Sequence, residues 1–303
     1  MDHPPPIPIV FIHQGTASYL PYSLLQVKKT NPESPVYLLG DWGGLHFNGL
    51  VTHVPVSKYW KMAAELADNF VNFSTNPHEF ELVCLQRWMV LLEFMQTEKL
   101  GHCVYLDSDI LVYGHLGEEQ VKFKDFGMTV AGISGHTNFV NDVGVLDAFC
   151  HFILDSYTRL NAMDILEEKY LEFRNSNPAG GISDMTYFTE FREHFPGQVL
   201  DIGQVWEDQS TFDITIQYTK GYSLDSGHKK VEMKFGQPYC FLMPEGQPVR
   251  FNTLHFQGEA KQWMPMFFTG DVRKLKLLRP INKAMLLLVK VVSKLRKYFS
   301  DRD

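Results

Sequence analysis

The sequence predicts an α/β fold with a mostly parallel central sheet flanked by helices, a small antiparallel appendage and a C-terminal amphipathic helix. Three observations carry that expectation. From Ile7 onward, short apolar strand-like runs alternate with longer stretches of helical spacing, the pattern of a parallel sheet under covering helices. Residues 213–256 switch to short runs paired about a DSGH turn, as antiparallel hairpins do. The chain of 303 residues is 45% hydrophobic and 14% aromatic, enough to bury a core as one large domain or two smaller ones.

Taken in order, IPIVFIH (7–13) reads as a buried first strand, and SYLPYSLLQVKKTNP (18–32) as a helix that ends before Pro32, since proline disfavours helical backbone in its predecessor. VYLLGD (36–41) is a second strand. KYWKMAAELADNF (58–70) and EFELVCLQRWMVLLEFMQTEKLG (79–101) show helical spacing, the latter ending at Gly101. VYLDSDILVYG (104–114) follows as strand, and MTVAGI (128–133) as another. DAFCHFILDSYTRL (147–160) and MDILEEKYLEFRN (163–175) are helical, and GGISDMTYFTEFREHF (180–195) is a helix capped by Ser183 or Asp184. IQYTKGYSL and KKVEMKF flank the DSGH turn (225–228), ahead of YCFLM and VRFNTLHF.

Charge is unevenly spread. The net charge is −7, but residues 273–303 hold ten Lys or Arg against two Asp, or +8, leaving 18 bases against 33 acids, or −15, in the rest. An acidic body argues against nucleic-acid binding, which needs basic side chains across one face. Cys84, Cys103, Cys150 and Cys240 lie far apart with no CxxC pair, so reduced, mostly buried thiols are expected rather than a zinc site or disulfide scaffold. The proline-bearing N-terminus does not resemble a secretory signal and no apolar run is long enough to span a bilayer, so a cytoplasmic location is expected.

Two carboxylates interrupt the apolar run 104–114. In an extended chain alternate residues face one way, so Asp107 and Asp109 would share a side, and two anions held together call for a cation or open solvent. A hard divalent ion, Mg²⁺ or Mn²⁺, fits such an oxygen-rich site at the carboxyl end of a strand; a solvated turn is the alternative. LHFQGEAKQWM (254–264) supplies a second cluster. His255 can ligate a metal, Gly258 permits close backbone approach to a phosphate, and Lys261 offers compact positive charge to oxygens that gain charge as a bond breaks. Singly, each also reads as an ordinary turn, core or surface residue.

Together, VYLDSDILVYG after the Arg-bearing helix CLQRWMVLLEF, and HFQGEAKQW further on, resemble the GT-A (Rossmann-like) nucleotide-sugar transferases, most of all glycosyltransferase family 8, the group of glycogenin and the bacterial lipooligosaccharide galactosyltransferases. The resemblance implies a GT-A domain over residues 1–270 and a basic tail over 271–303. It implies that Asp107, Asp109 and His255 bind Mn²⁺ (or Mg²⁺), that Gly258 and Lys261 hold the diphosphate of a UDP-sugar, and that Arg87 positions the sugar nucleotide, a surface or helix-capping arginine being the alternative. It further implies a retaining transfer of a hexose to a glycan or lipid-linked glycan hydroxyl, with Lys261 as catalytic cation. HQGTASY (13–19) departs from the family's acidic pattern, and His13, Gly15 and Asp41 are nominated for the nucleoside pocket because they lie at strand ends. FVNDVGV leaves Asn138, Asn141 and Asp142 competing for one role, and Asp184 either recognises donor hydroxyls or only caps its helix.

Residues 281–299 place Ile281, Met285, Leu288, Val292, Leu295 and Phe299 along one helical stripe with lysines elsewhere. This basic amphipathic helix would lie on an anionic membrane, making the protein peripheral there, or else pack on the domain or a second subunit. Two other functions compete: a catalytically silent nucleotide-sugar or glycan-binding protein of the same fold, and a haloacid-dehalogenase-like phosphatase with Asp107 as nucleophile, which leaves residues 254–264 unexplained.

Overall fold

The computed structural model describes residues 6–15, 17–41, 47, 49–278, 284 and 287. In chain order its elements are β1 (Ile9–His13), α1 (Leu20–Thr30), β2 (Val36–Gly40), β3 (Thr52–Pro55), α2 (Lys61–Asn69), α3 (His78–Thr97), β4 (Cys103–Leu106), β5 (Ile110–Val112) and α4 (Leu116–Phe123). There follow β6 (Met128–Val130), β7 (Thr137–Val140), α5 (Val143–Thr158), α6 (Ala162–Ser176), α7 (Asp184–His194), β8 (Val199–Asp201) and β9 (Ser210–Phe212). Next come β10 (Leu224–Asp225), β11 (His228–Lys229), β12 (Glu232–Lys234), β13 (Gln237–Leu242), β14 (Gln247–His255), a 3-10 turn (Gly258–Trp263) and α8 (Met264–Phe267), and residues 272–278 are helical as well. The expected class, α/β with parallel strands, covering helices and antiparallel hairpins, is what forms. All six residues of the amphipathic stripe, Ile281, Met285, Leu288, Val292, Leu295 and Phe299, lie outside the described residues.

The chain divides into two compact units, one of residues 1–55, 106–119 and 203–303, the other of residues 56–105 and 120–202. In the first, β1 pairs parallel with β2 from Ile9↔Val36 to His13↔Gly40, and β2 pairs parallel with β3. A second sheet runs β12-β13-β14-β5 with antiparallel pairing throughout, and β9 joins β14 in parallel. Its buried cluster includes Tyr22, Leu25, Leu111, Phe251, Leu254, Phe256, Ala260 and Met264. Burying each of the larger side chains stabilises the fold by ~1.5–3 kcal/mol. The expected DSGH hairpin is present as Asp225↔His228, closed by Ser226 and Gly227 with φ of +52° and +87°.

In the second unit β6 pairs parallel with β8, and β4 is hydrogen-bonded to β7. MTVAGI is shorter as a strand than expected: β6 stops at Val130, and Ala131 to Ser134 form a bridged turn. The core is aromatic, with Phe149 stacked on Phe188 at 4.2 Å and Trp88 edge-on to Phe188 at 5.0 Å. Cys103, Cys150 and Cys240 are buried free thiols and Cys84 is half-buried. Among the described residues no helix is long and apolar enough to cross a membrane.

Asn31 shows how α1 is tied to the strand that follows the carboxylates. It is fully buried after the last turn of α1, where Oδ1 accepts from the Leu116 N–H at 2.7 Å and Nδ2 donates to the Gly114 carbonyl at 3.2 Å. Asn31→Ala leaves two backbone groups without those partners and is expected to lower unfolding free energy by about 1–3 kcal/mol in urea titrations.

Candidate metal and diphosphate site

The site is assembled by one strand pairing. β5 and β14 run antiparallel with Ile110↔His255, Leu111↔Leu254 and Val112↔Thr253 in register. The Phe256 N–H continues the ladder to the Asp109 carbonyl at 3.0 Å. Asp107, Asp109 and His255 therefore come together, each offering a ligand atom within 4.8 Å of the others.

The reason the carboxylates share a side differs from the alternation expected of an extended chain. Residues 107–109 are a turn between β4 and β5, in keeping with the preference of Asp and Ser for turns over strands. The turn is locked from the neighbouring elements: Ser23 Oγ of α1 donates to the Ser108 carbonyl at 2.6 Å, and His13 Nδ1 at the end of β1 lies 2.9 Å from Ser108 Oγ. Asp109 is 8% exposed, so this is not a solvated turn.

His255 is oriented through its backbone and its ring. Its N–H donates to Asp213 Oδ2 at 3.0 Å, and Nδ1 lies 2.7 Å from the Ile214 carbonyl. A carbonyl can only accept, so Nδ1 carries the proton, and Nε2 is turned toward Asp109 Oδ1 at 3.6 Å. Asp109 Oδ1 is itself buried without a hydrogen-bond partner among the described residues. In that tautomer of the neutral ring, Nε2 and the carboxylate oxygen face each other as two acceptors that a cation between them would satisfy. The donor set of two carboxylates and one imidazole, with that orphaned oxygen, fits a divalent ion of the Mn²⁺ type.

Lys261 stands on the 3-10 turn after β14, with Nζ 2.9 Å from Asp109 Oδ2 and 5.4 Å from the centre of the Tyr19 ring. Burial draws its pKa down, but the Asp109 carboxylate, with Tyr19 and Asp107, outweighs that and holds it above the ordinary lysine value. His13 moves the other way: burial lowers its pKa against the opposing pull of Asp41, Asp109 and Asp107, with Lys261 adding to the fall. Its Nε2 is buried without a partner among the described residues. Gly258 opens the turn at φ +58°, and nothing lies within 4 Å of where a Cβ would stand. The left-handed backbone favours glycine there, and the open space beside its Cα leaves room for close backbone approach.

The other nominated residues fall into two groups. Gly15 and Asp41, at the ends of β1 and β2, are bonded to each other, Gly15 N–H to Asp41 Oδ2 at 3.1 Å, and His53 Nε2 donates to the Asp41 carbonyl at 2.9 Å. Arg87 and Asp184 pair in the second unit: Arg87 Nη2 bonds Asp184 Oδ2 at 2.5 Å and Trp88 Nε1 donates to the same oxygen at 3.2 Å. Ser183 caps α7, with a reciprocal capping box to Thr186, so the cap does not depend on Asp184. Of the three competitors in FVNDVGV, Asn141 clamps the Phe123 and Phe126 carbonyls, and Asp142 caps α5 through the Gly144 N–H. Asn138 is fully buried on β7, its Nδ2 unpartnered among the described residues.

Tyr19, Ser23, Ser108 and Asp213 were not singled out by motif. Two left a signal: Ser23 is a polar residue on the apolar face of α1, and Asp213 is an acid inside the run FDITI.

No family model matches the sequence, and no curated protein matches it. Solved structures overlap it as follows. Mouse xyloside xylosyltransferase 1 is 9% identical with a TM-score of 0.42, over 71% of this chain and 90% of that one. The glycosyltransferase GlyE of Streptococcus pneumoniae TIGR4 is 15% identical with a TM-score of 0.41, over 95% of this chain and 64% of that one, so this chain spans under two thirds of GlyE. The PaToxG glycosyltransferase is 17% identical with a TM-score of 0.38, over 63% of this chain and 70% of that one. At these scores the overlaps decide neither fold family nor activity.

Two outcomes are expected of the side-chain geometry. Mn²⁺ raises the thermal midpoint of the wild type by mass action and leaves that of Asp109→Asn unmoved in a thermal-shift titration. Arg87→Met strands the Asp184 carboxylate, whose side chain is 5% exposed. Chemical denaturation should register that as a loss of about 3–5 kcal/mol.

Proposed function

We propose that the protein is a metal-dependent glycosyltransferase that moves a hexose from a UDP-sugar to an acceptor hydroxyl on a glycan or lipid-linked glycan. The observation that carries this reading is the convergence, through the β5–β14 pairing, of Asp107, Asp109 and His255 with Gly258 and Lys261. The order and spacing of the two motifs, which resemble family 8, support the same assignment. Asp107, Asp109 and His255 hold the ion, which when bound supplies positive charge to the diphosphate oxygens.

The chain's own groups do the rest. The Gly258 N–H and the Lys261 ammonium receive the diphosphate. As the anomeric C–O bond breaks, the oxygen it leaves gains negative charge, and Lys261 stabilises that charge more than it does the intact donor. The acceptor oxygen forms the new bond on the face the leaving group departs, and its proton passes to a departing phosphate oxygen, so the anomeric configuration is retained and no protein base is required. His13, held neutral by burial, offers Nε2 to the nucleoside as a hydrogen-bonding group rather than a charge. The basic C-terminal stretch attaches the protein to anionic membrane.

The test is release of UDP from UDP-hexoses with Mn²⁺, with the product anomer read by NMR. Lys261→Met is expected to lower kcat by about 10²–10³-fold while Mn²⁺ binding persists. Binding of UDP-sugars with no turnover in any acceptor panel would instead identify a silent binding protein, and an inverted product would remove the retaining mechanism alone.

A further inference from the structure

The segment that carries His255, Gly258, Lys261 and Trp263 rests on a hairpin that belongs to no motif. Lys229 ends β11 and is 1% exposed. Its Nζ bonds Asp213 Oδ1 at 2.5 Å and the Thr215 carbonyl at 2.7 Å, and lies over the rings of Tyr222, Phe251 and Tyr218 at 5.3, 5.4 and 5.8 Å. Asp213, fully buried, turns its other oxygen to the His255 N–H. The next carbonyl, that of Ile214, receives the His255 Nδ1 proton. Lys229 thus neutralises the acid that holds the ligand's backbone and pins the short segment whose carbonyl sets the ligand's tautomer.

The adjacent residue grips the other half of the segment. His228 packs its ring on Trp263, with centroids 4.7 Å apart and planes at 50°, and its Nδ1 donates to the Lys229 carbonyl at 2.7 Å. Trp263 closes the 3-10 turn on which Gly258 and Lys261 stand. A buried lysine–aspartate pair adds little net stability over apolar side chains of the same volume, but its hydrogen bonds, unlike apolar contacts, have a direction. Here the direction is that of the His255 imidazole.

From these contacts we infer that the 224–229 hairpin is the positioning element of the diphosphate-binding segment, with Lys229 setting the metal-ligand imidazole and His228 setting the turn that bears Lys261. Neither residue touches metal or substrate; both are positioning residues. The inference rests on the metal-diphosphate reading above.

The test compares full-length wild type, Asp213→Asn/Lys229→Met (which leaves no charge buried alone), His228→Leu and, as control, Asp109→Asn. Mn²⁺ binding is followed by electron paramagnetic resonance of the free ion, pyrophosphate binding by calorimetry at fixed Mn²⁺, and folding by thermal melting. The double variant should melt cooperatively and bind Mn²⁺ on the order of 10- to 100-fold more weakly, as removal of an outer-shell partner does. His228→Leu should keep the wild-type Mn²⁺ affinity and bind pyrophosphate more weakly. If both variants bind Mn²⁺ and pyrophosphate as the wild type does, whatever their melting temperatures, the hairpin is only structural and the inference is overturned. Should the double variant not melt cooperatively, Lys229→Arg decides, because it keeps the charge and moves it: weaker Mn²⁺ binding supports the inference and unchanged binding overturns it. Failure of the wild type to bind Mn²⁺, or equal binding by Asp109→Asn, removes the metal reading itself and the inference with it.

Discussion

The antiparallel pairing of β5 with β14 is the constraint on which the rest of the site depends. Side chains alternate along a strand, so a slip of one residue would send the His255 ring to the opposite face and away from Asp109. The register Ile110↔His255 is held on both sides of the backbone. Leu111, Leu254, Phe251 and Phe256 bury their side chains in one cluster, and the Phe256 N–H extends the ladder to Asp109. Packing chooses the register, and the register places the ligand atoms.

Electrostatics then explains why the arrangement is tolerable. Asp109 is buried and has Lys261 on one oxygen and His255 facing the other. A buried carboxylate with one cation beside it and an imidazole nitrogen opposite is an arrangement that further positive charge would stabilise. The neighbouring titratable groups are biased in opposite senses, Lys261 toward its charged form by the carboxylates and His13 toward its neutral form by burial. A fixed cation and an uncharged hydrogen-bonding ring therefore both act against the same two carboxylates.

The second unit uses its charges differently. Arg87 lies over the Trp88 and Tyr105 rings at 5.2 and 5.6 Å and delivers its guanidinium to Asp184, which also accepts from the Trp88 indole. Cation, acid and aromatic rings form one connected group, so neither residue can be assigned a role without the other. In the sequence they lie 97 residues apart on two helices, and nothing in the spacing of either helix points to the other.

Local pattern, acting over a few residues, was enough to determine the first two strands, the long helices, the DSGH turn, the mostly buried reduced cysteines and the chemical types in the two motifs, but it left β3, α4, β8 and β9 unmarked. Periodicity and turn chemistry are local, so one chain can display them. Tertiary contact decided that Asp107 and Asp109 sit in a turn rather than along a strand, that Ser23 and His13 hold that turn, and that Asn141 serves the carbonyls of Phe123 and Phe126. It also decided which nitrogen of His255 is turned toward the carboxylates, because that choice belongs to the carbonyl of Ile214, 41 residues away. Residue type sets what a side chain can do, but ligand geometry is fixed by groups distant in the chain that meet only when register and packing are complete.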